Sequence, residues 1–74
     1  MSRLIRMDRS GHTTLGEWTS ADDAAFGEAA AKLRGELERG MIASATRPDG
    51  TAEVVRELPA DAEMVVLRRP IAGG

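Results

Sequence analysis

The spacing of hydrophobic and polar positions along the chain predicts strands in five places. Apolar and polar residues alternate in most of these segments, as they do in strands that bury one face. The segment over residues 64–67 is instead continuously apolar, which is typical of a strand buried in the middle of a sheet. The predicted strands cover residues 2–8, 13–19, 41–47, 52–58 and 63–69.

Between the second and third strands the apolar spacing becomes that of a helix, which is predicted over residues 21–39. Ser20 is the predicted N-cap, and Asp23 three positions later completes an approximate capping box. Gly40 is expected to end the helix in the left-handed conformation, and Glu36 is expected on the solvent side. The apolar stripe of the helix consists of Phe26, Ala30, Leu33 and Leu37.

The second strand contains an interruption of the alternating pattern. Leu15 and Trp18 are three positions apart, so a strict period of two would place them on opposite faces of the sheet. We expect a bulge at Gly16 to return both side chains to the core side. Trp18 is the bulkiest apolar residue of the chain, and we expect it in the core.

The order of these elements, ββαββ with one more strand near the end, predicts a two-layer α+β domain. A chain of 74 residues supports one domain, which we place at residues 1–69. Pro70 cannot donate to a strand ladder, so residues 70–74 are expected to leave the domain as a flexible C-terminal tail. We expect the last strand to lie beside the first and parallel to it, and the fourth strand to lie at an edge.

The composition excludes several kinds of site. The chain has no cysteine, hence no disulfide, thiolate metal site or nucleophilic thiol of its own, and a lone His12 does not build a typical zinc site. No acid/base pair or nucleophile constellation is present, so the chain is predicted not to be an enzyme and to bind no cofactor or metal. The mixed net charge of −2 argues against nucleic acid or an anionic membrane as a partner. With no signal peptide and no apolar run of roughly 20 residues, a cytoplasmic location is expected.

The basic residues are strongly unbalanced, since Lys32 is the only lysine beside nine arginines. A GC-rich source would explain this bias together with the twelve alanines. Alternatively, the scarcity of lysine leaves few amines in this protein for an activated carboxyl group to attack.

The sequence ends with "VVLRRPIAGG", and two explanations of the final glycines are open. They belong either to a frayed terminus, where small residues are common, or to a tail whose terminal carboxylate is the reacting group. Together with the order of elements, this ending resembles ubiquitin and the bacterial sulfur carriers, which are β-grasp folds of similar length. The resemblance implies a ubiquitin-like β-grasp, with a mixed sheet of four to five strands packed on one helix.

As residues, the resemblance is specific at the end of the chain. Arg68 and Arg69 are similar to the basic tail of ubiquitin, although in a different register. The residues that match the ends of the small subunit of molybdopterin synthase and of the thiamine sulfur carrier are Pro70, Ile71, Ala72, Gly73 and Gly74.

The resemblance implies that an adenylating enzyme of the ubiquitin-activating type joins the Gly74 carboxylate to AMP. ATP and magnesium would then be used by this partner. Gly73 and Gly74 would suit a narrow channel because they have no Cβ atom, and Pro70 would stiffen the tail in an extended form. Recognition of the tail by the enzyme would fall to Arg68, Arg69, Pro70, Ile71 and Ala72. A candidate patch for contacts with partners consists of Leu4, Met41 and Ile42.

Two outcomes of this activation are open, and a third hypothesis does not need it. In the first, a conjugating enzyme takes the acyl group as a thioester and passes it to a lysine of a target protein, as a bacterial ubiquitin-like modifier would require. In the second, sulfur from a donor enzyme replaces AMP, and the resulting thiocarboxylate serves cofactor or metabolite synthesis. In the third, the chain is a small phage or accessory interaction module and the two glycines are chance.

Overall fold

A five-stranded mixed sheet with a single helix across one face is formed by residues 1–70, which are the residues that this computed structural model describes. All five predicted strands and the predicted helix are present, with shorter or shifted ends. The predictions for Ile71, Ala72, Gly73 and Gly74 lie outside the described residues. The elements are β1 (Ser2–Asp8), β2 (Gly11–Trp18), α1 (Asp23–Glu38), β3 (Ile42–Thr46), β4 (Ala52–Val55) and β5 (Met64–Arg68).

The strands follow the order β2-β1-β5-β3-β4 across the sheet. Two antiparallel hairpins, β1–β2 and β3–β4, flank β5, which runs parallel to β1 and antiparallel to β3. The predicted parallel pairing of the first and last strands and the edge position of the fourth strand are confirmed. The β5 strand is central, as its apolar run predicted, with Val65 and Leu67 fully buried on the helix side. Met64 and Val66 lie on the other face and are half-buried.

The core lies between α1 and the inner face of the sheet. Leu4, Leu33, Val65 and Leu67 are its largest fully buried side chains. Trp18 is buried as predicted, and its ring meets that of Phe26 edge to face with centroids 5.9 Å apart. Burying one such aliphatic side chain contributes about 1.5–3 kcal/mol, so these few residues carry much of the stability of a small domain.

The bulge predicted in the second strand is confirmed. Leu4 pairs with Gly16 and Ile5 with Thr14, so Leu15 is the extra residue of β2. Leu15 packs against the core, as expected. Glycine allows the helix to approach the strand closely here, because a Cβ atom at Gly16 would lie 3.1 Å from the Cβ of Ala29.

The helix begins two residues later than its predicted cap. The N-cap is Asp22, whose carboxylate accepts the Ala25 N–H at 2.9 Å, so the prediction of Ser20 was wrong. Ser20 lies in a turn that precedes the helix and is closed by a hydrogen bond of 3.1 Å from the Asp22 N–H to the Thr19 carbonyl. Asp22 therefore closes this turn with its own N–H and caps the helix with its carboxylate, which satisfies a free N–H of the first helical turn.

The helix ends as predicted at Gly40, whose φ is +93°. Its N–H donates to the Leu37 carbonyl at 3.0 Å, and the Met41 N–H donates to the Glu36 carbonyl at 3.1 Å. These two bonds form a Schellman motif, which requires a left-handed residue at this position. The chain is thereby turned directly into β3.

Candidate functional site at the end of the last strand

The last described residues of the chain follow the central strand of the sheet. β5 ends at Arg68, and the next two residues, Arg69 and Pro70, are exposed. Because β1 is parallel to β5, the end of β1 lies beside this point, and the antiparallel β3 begins here with Ile42 paired to Arg68. The end of α1 is brought to the same place by the turn at Gly40.

The two arginines that precede Pro70 lie on opposite sides of the sheet. Leu67 is buried toward the helix, so strand alternation puts Arg68 on the face away from the helix, beside Ile42. Arg69 instead lines a groove on the helix side together with Arg39 and Gly40. The structure thus separates two neighbouring arginines that the sequence suggested as one unit.

This groove, which we call the exit groove, is an open cavity of about 640 Å³ beside the start of the tail. Its charged residues come from three segments of the chain, which are the end of β1, the end of α1 and the residues after β5. They are Arg6, Asp8, Glu36, Arg39 and Arg69. Arg6 donates from Nη1 to Oε1 of Glu36 at 2.9 Å, which connects β1 to the last turns of the helix.

The Glu36 side chain is only 12% exposed, so the prediction that it faces solvent was wrong. Its position is explained by this ion pair, since a carboxylate is rarely buried without a partner.

Asp8 is the other acid of the exit groove, and it is fixed by the β1–β2 turn. Its Oδ1 accepts the Ser10 hydroxyl at 2.7 Å and the Ser10 N–H at 2.9 Å. These hydrogen bonds, followed by the positive charges of Arg6 and Arg69, hold the pKa of Asp8 below its ordinary value. Asp8 therefore stays ionised in the groove well into the acidic range.

Asp49 in the β3–β4 turn repeats this arrangement, and together the two turns predict a loss of stability in acid. Thr51 donates its hydroxyl and its N–H to Asp49, which lowers the pKa of that carboxyl. A carboxyl group whose pKa is lower in the folded than in the unfolded chain stabilises the fold at pH values above its unfolded pKa of about 4. This stability is lost as the pH falls through the pKa of the folded state. We expect the melting temperature to fall below about pH 4, and less steeply in the double variant S10A/T51A. Trp18 fluorescence on heating measures this; identical pH profiles for the two proteins would contradict it.

The candidate partner patch of Leu4, Met41 and Ile42 is not a single surface. Leu4 is 0% exposed and packs in the core, so its inclusion was wrong. The physical reason is strand alternation, which turns Leu4 toward the helix and the next residue, Ile5, toward the other face. Met41 is half-buried against the core, while Ile42 is 39% exposed.

An apolar surface does lie around Ile42, but it consists largely of residues other than those predicted. Register pairs Ile5 with Val66, Val66 with Ser44, and Ser44 with Val54, so these residues form one row across the face away from the helix. Val54 is 73% exposed. We call this surface the open face; its members are Ile5, Ile42, Ser44, Val54, Val66 and Arg68. The alternation within each strand indicates which residues share a face. It does not indicate which residues of different strands lie side by side, so the row across four strands could not be predicted from it.

Two arginines of the exit groove, Arg6 and Arg39, were not recognised as site residues from the sequence. Arg39 was visible as the residue before the Gly40 cap, but nothing local indicates that the end of the helix meets the end of β5. Within residues 1–70, no group of three or more potential ligand side chains is placed to hold a metal ion. Nor does the described part of the chain contain a helix with the length and apolar character that crossing a bilayer requires.

No protein-family model, curated protein or solved structure matches this chain. A functional proposal therefore depends on the residues of the chain itself and on how the fold arranges them.

Proposed function

We propose that this chain is a ubiquitin-like β-grasp protein whose Gly74 carboxylate is adenylated by a partner enzyme and then transferred, through a thioester, to target proteins. The observation that carries the proposal is the sheet order β2-β1-β5-β3-β4, in which the last strand is central and parallel to the first. A helix packed across one face of such a sheet is the arrangement that a β-grasp fold requires. The order of elements along the chain is one of the features on which the resemblance is based.

The position of the tail supports this function. A central strand is held by neighbours on both sides, so its end is a rigid base from which Arg69 and Pro70 lead into the last four residues. Gly73 and Gly74 have no Cβ atom and suit a channel in which another backbone approaches closely. The proposal requires that Gly74 carries a free carboxylate in the cell, either directly or after removal of any residues that follow it.

The proposed chemistry uses MgATP and thiols that belong to partners. A Gly74 carboxylate oxygen attacks the α-phosphate of ATP, which releases pyrophosphate and forms an acyl adenylate. A partner cysteine thiolate attacks the acyl carbon, and AMP leaves. The amine of a target lysine then displaces the thiolate and forms an isopeptide bond. In this scheme the chain is a substrate and carrier, and the partners supply the catalytic groups.

The open face favours a protein modifier over a sulfur carrier. A modifier remains attached to its target, so other proteins need an exposed surface by which to bind it. Ile42 and Val54 supply exposed apolar area there, and Arg68 lies beside Ile42 at the end of β5. Apolar residues beside an arginine are typical of protein contact surfaces.

The test is intact mass after incubation with lysate of the source cells and MgATP. We expect a ladder of heavier species, each lighter by one water than the sum of the joined proteins, and we expect none from a variant lacking Gly73 and Gly74. A gain equal to the exchange of one oxygen for sulfur would instead identify a sulfur carrier. An unchanged mass for the native protein would contradict activation of the tail. Equal melting temperatures for both proteins, followed by Trp18 fluorescence, would show that the deletion leaves the fold intact.

A further inference from the structure

We infer that the exit groove is the docking site for an acidic segment of the enzyme that acts on the tail, with Arg39 and Arg69 as the residues that receive it. The inference rests on the proposed function and adds a binding surface to it. Arg69 and Pro70 belong both to the groove wall and to the start of the tail. A protein that holds the tail at Arg69 and Pro70 therefore contacts the wall of the groove.

The groove contains arginines that form no ion pair with its own acidic residues. Glu36 is used by Arg6 in the 2.9 Å ion pair, and Asp8 accepts both hydrogen bonds from Ser10. Neither Arg39 nor Arg69 forms an ion pair within residues 1–70. Two guanidinium groups thus face the groove without forming an ion pair in the described chain, and the groove's remaining negative charge is that of Asp8, which interacts with Arg69 at longer range.

A neighbouring recess extends the positive surface. It shares Asp8 and Arg69 with the exit groove and adds Arg9 and Ser10 from the β1–β2 turn, but no further acid. Four arginines therefore stand against two acids around the start of the tail, and once Arg6 and Glu36 are paired, three arginines remain against Asp8. An acidic partner segment has the complementary charge.

The charge of the rest of the molecule makes this docking directional. The whole chain has ten basic and twelve acidic residues. Removing the four arginines and two acids of the groove and recess leaves six basic and ten acidic residues elsewhere. An acidic surface is repelled by most of the molecule and attracted at the tail, so the charges steer the partner to the correct end.

The first arm of the test measures the rate of tail conversion in the lysate assay at low and at high salt. Arg39→Gln and Arg69→Gln should each lower the rate about two- to fivefold at low salt, with a smaller loss at high salt. Arg34→Gln is the matched control, since Arg34 is an exposed arginine of the same helix and lies outside the groove. This control should convert at the native rate.

The second arm does not depend on conversion. A short capped peptide of glutamates is titrated into the labelled full chain, and backbone amide shifts are followed by NMR. We expect the largest shifts at Arg39, Gly40 and Met41, their loss in the double variant R39Q/R69Q, and none with a glutamine peptide of equal length.

The two arms separate the inference from the proposed function. Peptide shifts in the groove without any tail conversion would overturn the function and retain the acid-binding site. Conversion at the native rate in both arginine variants, without shifts in the groove, would overturn the inference and retain the function. Peptide binding that appears only after deletion of residues 71–74 would also overturn it, because the tail itself would then be the occupant.

Discussion

Replacing Leu67 by alanine should lower the free energy of unfolding by about 2–5 kcal/mol, the usual cost of removing a large aliphatic side chain from a packed core. Leu67 is 0% exposed and lies on β5, the strand to which both halves of the sheet are hydrogen-bonded. A cavity there opens between the helix and the central strand, where neighbours held on both sides have little freedom to collapse into it.

This loss is large relative to the stability expected of the whole domain. At about 0.05–0.15 kcal/mol per residue, a chain of this length has roughly 4–11 kcal/mol in total. Urea unfolding followed by Trp18 fluorescence should show a clearly lower midpoint for L67A. The matched control is V54A, since Val54 is 73% exposed and its truncation should change the stability by less than about 0.5 kcal/mol. Equal losses for the two variants would contradict the assignment of the core.

Replacing Gly73 by alanine should reduce formation of the acyl adenylate by about 100-fold or more, since a displacement of roughly 1 Å at a reacting group has an effect of this size. The added methyl group would meet the wall of the channel in which a partner must hold the tail. The measurement is the ATP-dependent exchange of labelled pyrophosphate in lysate fractions that convert the native protein.

The control for G73A is the same change in the helix, Gly35→Ala. A Cβ atom at Gly35 would meet nothing within 4 Å, and alanine should stabilise the helix by about 0.5–1 kcal/mol without altering exchange. If G73A exchanged pyrophosphate at the native rate while deletion of Gly74 prevented exchange, the carboxylate would still react, but the narrow channel would be ruled out.

Much of the fold could be predicted from local patterns, because each pattern has a direct steric or hydrogen-bonding cause. The continuous apolar run of residues 64–67 predicted the central strand, and that strand is indeed hydrogen-bonded to a neighbouring strand at each edge. Gly40 was identified from the left-handed conformation that glycine accepts easily, and its φ is +93°. Gly16 was identified from the break in the strand pattern, and it lies beside the bulge, where a Cβ atom would crowd Ala29.

The errors arose where two local signals competed or where a distant partner decided the outcome. Ser20 and Asp22 are both good caps, and only the turn closed through Thr19 selects Asp22. Glu36 was expected in solvent because helical spacing alone does not reveal that Arg6 lies opposite it.

The sequence by itself determined the elements, their order and the apolar residues available for a core, because these depend on contacts and conformations a few residues apart. Only the tertiary structure decided which side chains share a surface. Leu4 packs in the core and not on a partner patch, Arg68 lies on the open face, and Arg69 lines the exit groove with Arg39. The physical reason is that strand register and helix docking are set by pairing and packing between distant segments, and a shift of one residue reverses the face of every side chain in a strand.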